Sequence, residues 1–350
     1  MSTLLDEEER RRRVDPQDAL ADVEGAAEQW RNAAAHATTS AALEDVHAVL
    51  VTGMGGSGIA ADIAAALARP RMAVPIMAHK GYGLPAWAGP RTLVIAVSYS
   101  GNTEETLSAV AEALARGAPV LAICSGGQLA ELADTHHFPV ARVPGGGQPR
   151  HSLGWLVVPL LVALGLADDL DEAVAVLAEI AAASGRTVPS EANPAKRLGT
   201  LLASEAVPVV YGTDGLAAVA ALRCVCQLNE NAKLHALLGV VPELCHNAVV
   251  GWERALAAPR GVVWLRDAAE QPRDARRADL VAAMLAERAA WQETIRARGR
   301  SDLARLASLV AQVDLASVYA AHARGVDPTP VASIDRLKAE LGATPRTRKS

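Results

Sequence analysis

The side chains best suited to chemistry in this sequence lie in one short stretch, residues 98–103 (SYSGNT). The stretch follows an apolar run, residues 92–97, that predicts a buried strand, and it precedes a predicted helix. Ser98, Ser100 and Thr103 therefore crowd one strand-to-helix turn, where hydroxyls, backbone N–H groups and the helix dipole all favour an anion. A capping turn would explain one such hydroxyl, but three around a glycine predict a phosphate site.

A second glycine-rich turn, residues 53–58 (GMGGSG), follows another predicted strand. Its spacing also fits the G-x-G-x-x-G pattern of dinucleotide-binding folds, which requires an acidic residue about 20 positions on, at the end of the next strand. That strand ends in residues 79–81 (HKG) without a carboxylate, so a sugar-phosphate pocket shared with the 98–103 turn is favoured instead. The substrate-binding residues predicted in this second turn are Gly55, Gly56 and Ser57.

Four residues elsewhere are candidates for catalysis. Glu230 stands between two asparagines at the end of a predicted helix, where a carboxylate can act as a base. His246 lies in a loop and can exchange protons near neutral pH. Arg150 follows a glycine-rich loop and can stabilise an oxyanion, and Lys338 lies near the C-terminus. Taken singly, each also fits an ordinary role, such as a solvent-facing charge or a capped turn.

Alternating strands and helices must position these residues. The alternation over residues 48–143 predicts a parallel sheet with helices on both faces, and a second strand–glycine turn–helix unit begins near residue 207. We therefore predict an α/β fold with two similar subdomains, and a single long helix over residues 275–298. The predicted organisation is N-terminal helices at 1–45, a first subdomain at 46–165, a helical connector at 166–204 and a second subdomain with C-terminal helices at 205–345.

Composition excludes several classes of function. The net charge of −5 without a basic domain, and an aromatic content of 3%, argue against nucleic acid as a partner. No apolar run reaches the roughly 18 residues of a membrane span, and the charged start argues against secretion, so we expect a cytoplasmic protein. Cys224 and Cys226 fall two positions apart in a predicted helix, which points their thiols in different directions. Buried free thiols are therefore favoured over a zinc site, and we expect no metal and no cofactor.

In combination, the motifs resemble one family. The ordered set GMGGS, SYSGNT, PR at 149–150, NENAK at 229–233 and PELCHN at 242–247 resembles the bifunctional phosphoglucose/phosphomannose isomerases, over about residues 20–342. The chain departs from the family pattern at Cys245 and Ala248, beside the histidine.

The resemblance implies a fold and a mechanism. It implies two sugar isomerase (SIS) subdomains of flavodoxin-like type and a metal-free exchange between aldose and ketose 6-phosphates of glucose, and of mannose. Glu230 would be the base, Arg150 the cation that faces the enediolate, and His246 and Lys338 the groups that open the sugar ring. It also implies a homodimer in which His246 serves the partner subunit's site. A small residue near the lysine, Thr329 or Val331, would allow mannose phosphate to bind.

One alternative of another class stays open at this point. The same fold can serve as a non-catalytic sugar-phosphate sensor, which would be expected to keep the serine turns and lose the base. Glu230, His246, Arg150 and Lys338 are all present, which favours the enzyme.

Overall fold

The computed structural model describes residues 5–37, 43–254 and 258–343. The chain begins with short helices, in the segment where the sequence predicts N-terminal helices. They are α1 (Glu8–Val14), α2 (Ala19–Glu24) and α3 (Ala26–Ala33), followed by a 3-10 turn (Ala34–His36). Asp18 caps α2 by accepting a hydrogen bond from the Ala21 N–H group, which satisfies one of the free amides at the helix start.

The first sheet contains five parallel strands in the order β2-β1-β3-β4-β5. Its strands are β1 (Ala48–Thr52), β2 (Ile76–His79), β3 (Thr92–Val97), β4 (Val120–Cys124) and β5 (Val140–Arg142). Its helices are α4 (Gly55–Ala68), α5 (Glu104–Ala115), α6 (Gly127–His136) and α7 (Leu153–Ala163). Every residue of β1, β3 and β4 is buried, as expected for parallel strands that helices cover on both faces.

The second sheet contains four parallel strands in the order β7-β6-β8-β9. Two helices, α8 (Leu170–Ser184) and α9 (Pro194–Leu202), connect it to the first sheet. The remaining elements are β6 (Val207–Thr213), α10 (Leu216–Glu230), β7 (Leu237–Val241), β8 (Arg260–Arg266), α11 (Pro272–Met284), β9 (Trp291–Arg296), α12 (Asp302–Arg324) and α13 (Ala332–Ala343). Pairing is in register along β6 and β8, for example Val210 with Val263.

Helix α12 is the central helix of the fold, since it packs against α8, α9 and α10. By length and composition it could cross a membrane, but 89% of its most apolar stretch is buried inside the fold. Burial of that kind is expected of a core helix. Helix α13 differs, because residues 332–341 are all exposed.

The predicted fold class is confirmed: both sheets are parallel and flanked by helices. The single long helix predicted over residues 275–298 is wrong, because the helix stops at Met284 and residues 291–296 form the edge strand β9 beside β8. Residues 285–290, between the helix and the strand, contain no glycine or proline, so the sequence gives no signal that the helix ends there. The predicted subdomain boundaries at 45, 165 and 204 stay predictions.

Candidate functional site

The two glycine-rich turns meet at the point where the first sheet reverses its strand order. In the order β2-β1-β3-β4-β5, the strand that follows β1 in the chain lies on one side of it, and the strand that follows β3 lies on the opposite side. Open parallel sheets bind ligands in the crevice at the carboxyl ends of such strands. Helix α4 begins after β1 and helix α5 after β3, so both helix N-termini flank this crevice.

Hydrogen bonds join the hydroxyls of the two turns. The Tyr99 N–H group donates to Ser57 Oγ at 3.3 Å, which ties the second turn to the first. Ser98 Oγ donates to Thr103 Oγ1 at 2.9 Å, and the Asn102 N–H group donates to Ser100 Oγ at 3.3 Å. Ser57 and Ser98 are buried while Ser100 is exposed. The structure therefore brings the predicted substrate-binding residues into one crevice.

Close backbone contacts require glycine at two points of this crevice. At Gly101, with φ of +70°, a Cβ atom would lie 1.8 Å from the carbonyl oxygen of Gly126. At Gly56, a Cβ atom would lie 2.8 Å from the carbonyl oxygen of Pro149. The second contact places the 53–58 turn directly against the loop that carries Arg150.

Helices α4 and α10 run antiparallel, and this direction decides which ends meet. Arg69, at the end of α4, forms a 2.8 Å ion pair with Asp214, which precedes α10. The start of α4, with Ser57, is therefore turned toward the end of α10, where Glu230 is the last helical residue. The second subdomain thus contributes the base candidate to a crevice built by the first.

Arg150 is the most constrained side chain of the site. It is 3% exposed, and its Nε donates to Asn231 Oδ1 at 2.7 Å. Its Nη2 donates to the carbonyl oxygens of Pro328 at 2.8 Å and Thr329 at 2.7 Å. Burial lowers the pKa of Arg150 from its usual value, against the opposing pull of nearby carboxylates including Glu230. The guanidinium is still charged, because arginine does not lose its proton in proteins.

One N–H group of Arg150 is left for a ligand. A guanidinium has five N–H groups, and Nε and Nη2 use three of them on protein oxygens. Nη1 donates to Gln148 Oε1 at 3.2 Å and lies 3.7 Å from Glu230 Oε2. A hydrogen-bond donor with a fixed position thus lies beside a carboxylate, so a ligand that reaches this pair would contact both groups at once.

A buried polar network holds Arg150 from behind. The Asn231 side chain, which is fully buried, accepts at Oδ1 from Arg150 and from His151 Nε2 at 3.2 Å. Its Nδ2 donates to Ser317 Oγ at 2.9 Å. Arg223 donates to the Arg150 carbonyl at 2.8 Å, which fixes the backbone as well. Arg150 is therefore preorganised before any ligand arrives.

Two predicted site residues are not gathered in this chain. Lys338 lies on α13 and is exposed. His246 is exposed too, in a 3-10 turn that follows the far end of β7 from Glu230. The sequence-based reasoning also passed over Gln148 and gave no structural role to Asn231. The sequence signal that could have indicated a role for Asn231 is its position directly beside Glu230.

The cysteines and metal-ligand types give no alternative site. All four cysteines are free, and burial raises the pKa of the Cys224 thiol far above its usual value. Among residues 5–37, 43–254 and 258–343, no group of three or more His, Cys, Asp and Glu side chains is arranged to hold a metal ion.

Comparison with known proteins gives the geometry a context. Residues 42–144 match the SIS domain, and residues 191–341 match the bacterial phospho-glucose isomerase C-terminal SIS domain. A solved glucose-6-phosphate isomerase like protein from Thermus thermophilus shares the fold, with a TM-score of 0.66 at 21% identity, covering 96% of this chain and 98% of that one.

Curated relatives are more similar in sequence. The bifunctional phosphoglucose/phosphomannose isomerase of Caldicellulosiruptor bescii is 40% identical over 307 residues, which is 85% of this chain and 90% of that protein. The protein of the same name from Aquifex aeolicus is 36% identical, over 84% of this chain and 90% of its own length. On these matches, the chain belongs to the bifunctional phosphoglucose/phosphomannose isomerase family.

Proposed function

We propose that the protein interconverts glucose 6-phosphate and mannose 6-phosphate with fructose 6-phosphate. The observation that carries this proposal is the pairing of Arg150 Nη1 with Glu230 Oε2, 3.7 Å apart, beside the serine-rich starts of α4 and α5. A single crevice then offers an anion site, a base and a fixed hydrogen-bond donor. Those are the three groups that a sugar-phosphate isomerisation requires.

The phosphate would bind first and position the rest of the sugar. Its oxygens accept hydrogen bonds from the hydroxyls of Ser57, Ser100 and Thr103 and from the free N–H groups at two helix starts. Gly55 and Gly56 let the phosphate approach the backbone closely. Binding energy spent on the phosphate holds C1 and C2 beside the Arg150–Glu230 pair, within reach of both side chains.

Proton transfer then takes place between C1 and C2. In the aldose-to-ketose direction, the Glu230 carboxylate takes the proton from C2, and the released electron pair forms the C1=C2 bond. The electrons of the C1 carbonyl move onto O1, where Arg150 Nη1 donates a hydrogen bond to the negative charge. Glu230 returns its proton to C1, the proton of the C2 hydroxyl passes to O1, and C2 becomes the carbonyl. The step balances without a metal or a cofactor.

Ring opening would need His246 from a second copy of the chain. β7 has five residues, which places its first and last Cα atoms about 13 Å apart. The end of α10, with Glu230, leads into the start of β7, whereas His246 follows its end. His246 is therefore far from the Glu230 of its own chain, which supports the inference that it serves a partner's site.

Exposed apolar side chains support a homodimer. Met77 on the edge strand β2 is 46% exposed, and Leu237 and Leu238 on the edge strand β7 are each 42% exposed. These strands border an apolar groove of about 650 Å³ between the two subdomains. Equimolar mixing of Glu230→Gln and His246→Ala chains should restore activity if His246 acts across the interface. Two inactive variants that stay inactive after dissociation and reassociation would contradict this arrangement.

Thr329 is favoured over Val331 as the residue that admits mannose phosphate. Its carbonyl accepts from Arg150, and its buried Oγ1 has no hydrogen-bond partner within the described part of the chain. Val331 is only half-buried. Thr329→Leu should lower turnover of mannose 6-phosphate more than turnover of glucose 6-phosphate, while Val331→Leu should leave their ratio unchanged. The reverse result would move the specificity position to Val331.

Lys338 would contribute to ring opening only if α13 moves or contacts a partner, since its helix is exposed in the single chain. We also infer a cytoplasmic location, which four free thiols support.

The test of the activity is a coupled assay with fructose 6-phosphate that measures both aldose phosphates, with and without EDTA. Both products should form at undiminished rate with EDTA. Binding of sugar phosphate without turnover would favour a sensor, and loss of turnover restored by Zn²⁺ would overturn the metal-free mechanism.

A further inference from the structure

Lys233 is a residue with an unusual backbone that the mechanism does not use. Its φ of +52° lies in the left-handed region, where a helix end ordinarily has glycine. The helix end is closed by hydrogen bonds from the N–H groups of Ala232 and Leu234 to the Leu228 carbonyl. A lysine held in this conformation next to a candidate base calls for a functional explanation.

The ammonium of Lys233 joins two parts of the site. Nζ donates to the Glu230 carbonyl at 2.5 Å and to the Pro328 carbonyl at 3.3 Å. The Pro328 carbonyl also accepts from Arg150 Nη2. Two cations therefore hold the same oxygen, and this oxygen belongs to the segment that leads into α13 and Lys338.

The charge of Lys233 interacts with Arg150 and Glu230, the groups proposed to carry out the reaction. Partial burial and the Arg150 guanidinium lower the pKa of Lys233 from its usual value, while the carboxylates of Asp327 and Glu230 oppose this effect. These contacts place a positive charge near the base without a direct bond between the two side chains.

We propose that Lys233 is a positioning residue that fixes Glu230, through the end of α10, relative to Arg150 and the 327–329 segment. The left-handed backbone turns its side chain back over the helix end, and the two carbonyl contacts fix the last turn of α10 against Pro328. The base is then held 3.7 Å from Nη1, where one substrate can contact both groups. The proposal rests on the assignment of Glu230 and Arg150 proposed above.

Three substitutions separate the charge from the strained backbone. Lys233→Met removes the charge and keeps the length, Lys233→Arg keeps a charged donor, and Lys233→Gly removes both the charge and the strain. We expect Lys233→Met to lower kcat between about 10- and 100-fold with little change in KM, because the phosphate turns are untouched and only the reacting geometry is loosened. Lys233→Arg should recover most of kcat.

The glycine variant distinguishes positioning from a purely structural role. Glycine suits the left-handed conformation, so Lys233→Gly should unfold at a denaturant concentration no lower than Lys233→Met does. It should nevertheless be as slow as Lys233→Met. Recovery of kcat in Lys233→Gly, or wild-type kcat in Lys233→Met, would overturn the proposal.

A double variant keeps this test separate from the assignment of the base. If Lys233 acts through Glu230, the Glu230→Gln/Lys233→Met double variant should be no slower than Glu230→Gln alone. Additive losses would contradict action through Glu230. Full activity of Glu230→Gln would instead show that the assigned base is wrong, whatever Lys233→Met does.

Discussion

Replacement of Arg150 by methionine should separate its catalytic role from its structural one. Methionine fills part of the buried volume but donates no hydrogen bond. Of the four oxygens that lose a donor, Gln148 Oε1 belongs to a half-buried side chain that water can reach. Asn231 Oδ1 keeps the hydrogen bond from His151, and the Pro328 carbonyl keeps the one from Lys233. The Thr329 carbonyl has Arg150 as its donor and would be left unpaired.

The expected losses of stability and of kcat follow from these hydrogen bonds. One unpaired buried carbonyl lowers the free energy of unfolding by about 1–3 kcal/mol, which a domain of ordinary stability tolerates. Loss of a preorganised donor to a developing oxyanion should lower kcat about 10²–10³-fold. Arg150→Met should therefore stay folded and lose nearly all turnover.

The assay pairs urea unfolding with isomerase kinetics, and Lys196→Met is the matched control. Lys196 is also a buried cation, 1% exposed, and it donates to Asp6 and to the carbonyls of Arg186 and Val188, away from the crevice. Lys196→Met should lose stability and keep kcat. If Arg150→Met turns over at the wild-type rate, or if Lys196→Met loses turnover as severely, the reasoning on Arg150 is refuted.

Two further predictions concern the phosphate turn and the N-terminal helices. Ser100→Ala should raise KM for fructose 6-phosphate at least about tenfold, because a hydroxyl contact to a charged group is lost, whereas Ser108→Ala on the helix that follows this turn should leave KM unchanged. Burial alone would raise the pKa of Asp15, but hydrogen bonds from His322 and from the N–H groups of Ala19 and Leu20 outweigh it and lower the pKa below 3.8. The stabilisation is therefore complete above the unfolded-state value and is lost as pH falls through the folded-state value. Urea midpoints measured from about pH 6 to about pH 3 should fall less steeply for Asp15→Asn than for the wild type, and an equal slope would contradict this role of Asp15.

The crevice between the two glycine-rich turns could be predicted because its signals are local. Each turn combines a buried strand, glycines and hydroxyls within about ten residues, and strand order then brings neighbouring turns together. The strands β7 and β9 carry weaker signals. β9 (WQETIR) is a polar edge strand, and it follows a helix without a glycine or proline between them.

The surroundings of Arg150 could not be predicted in the same way. Its partner Asn231 is 81 positions away in the sequence, and the Pro328 carbonyl is 178 positions away. Backbone acceptors such as Pro328 have no side-chain signature at all. The left-handed conformation of Lys233 is equally hidden, since lysine is not a residue that marks such a turn.

The most direct test of the account is hydrogen exchange at C2 of glucose 6-phosphate in deuterated water, followed by NMR. The wild-type protein should exchange this hydrogen with solvent as it isomerises the sugar. Glu230→Gln keeps the shape of the side chain but cannot accept a proton, so exchange and isomerisation should both fall about 10²–10⁴-fold while sugar-phosphate binding persists. Wild-type exchange in Glu230→Gln would contradict the assignment of the base at its central residue.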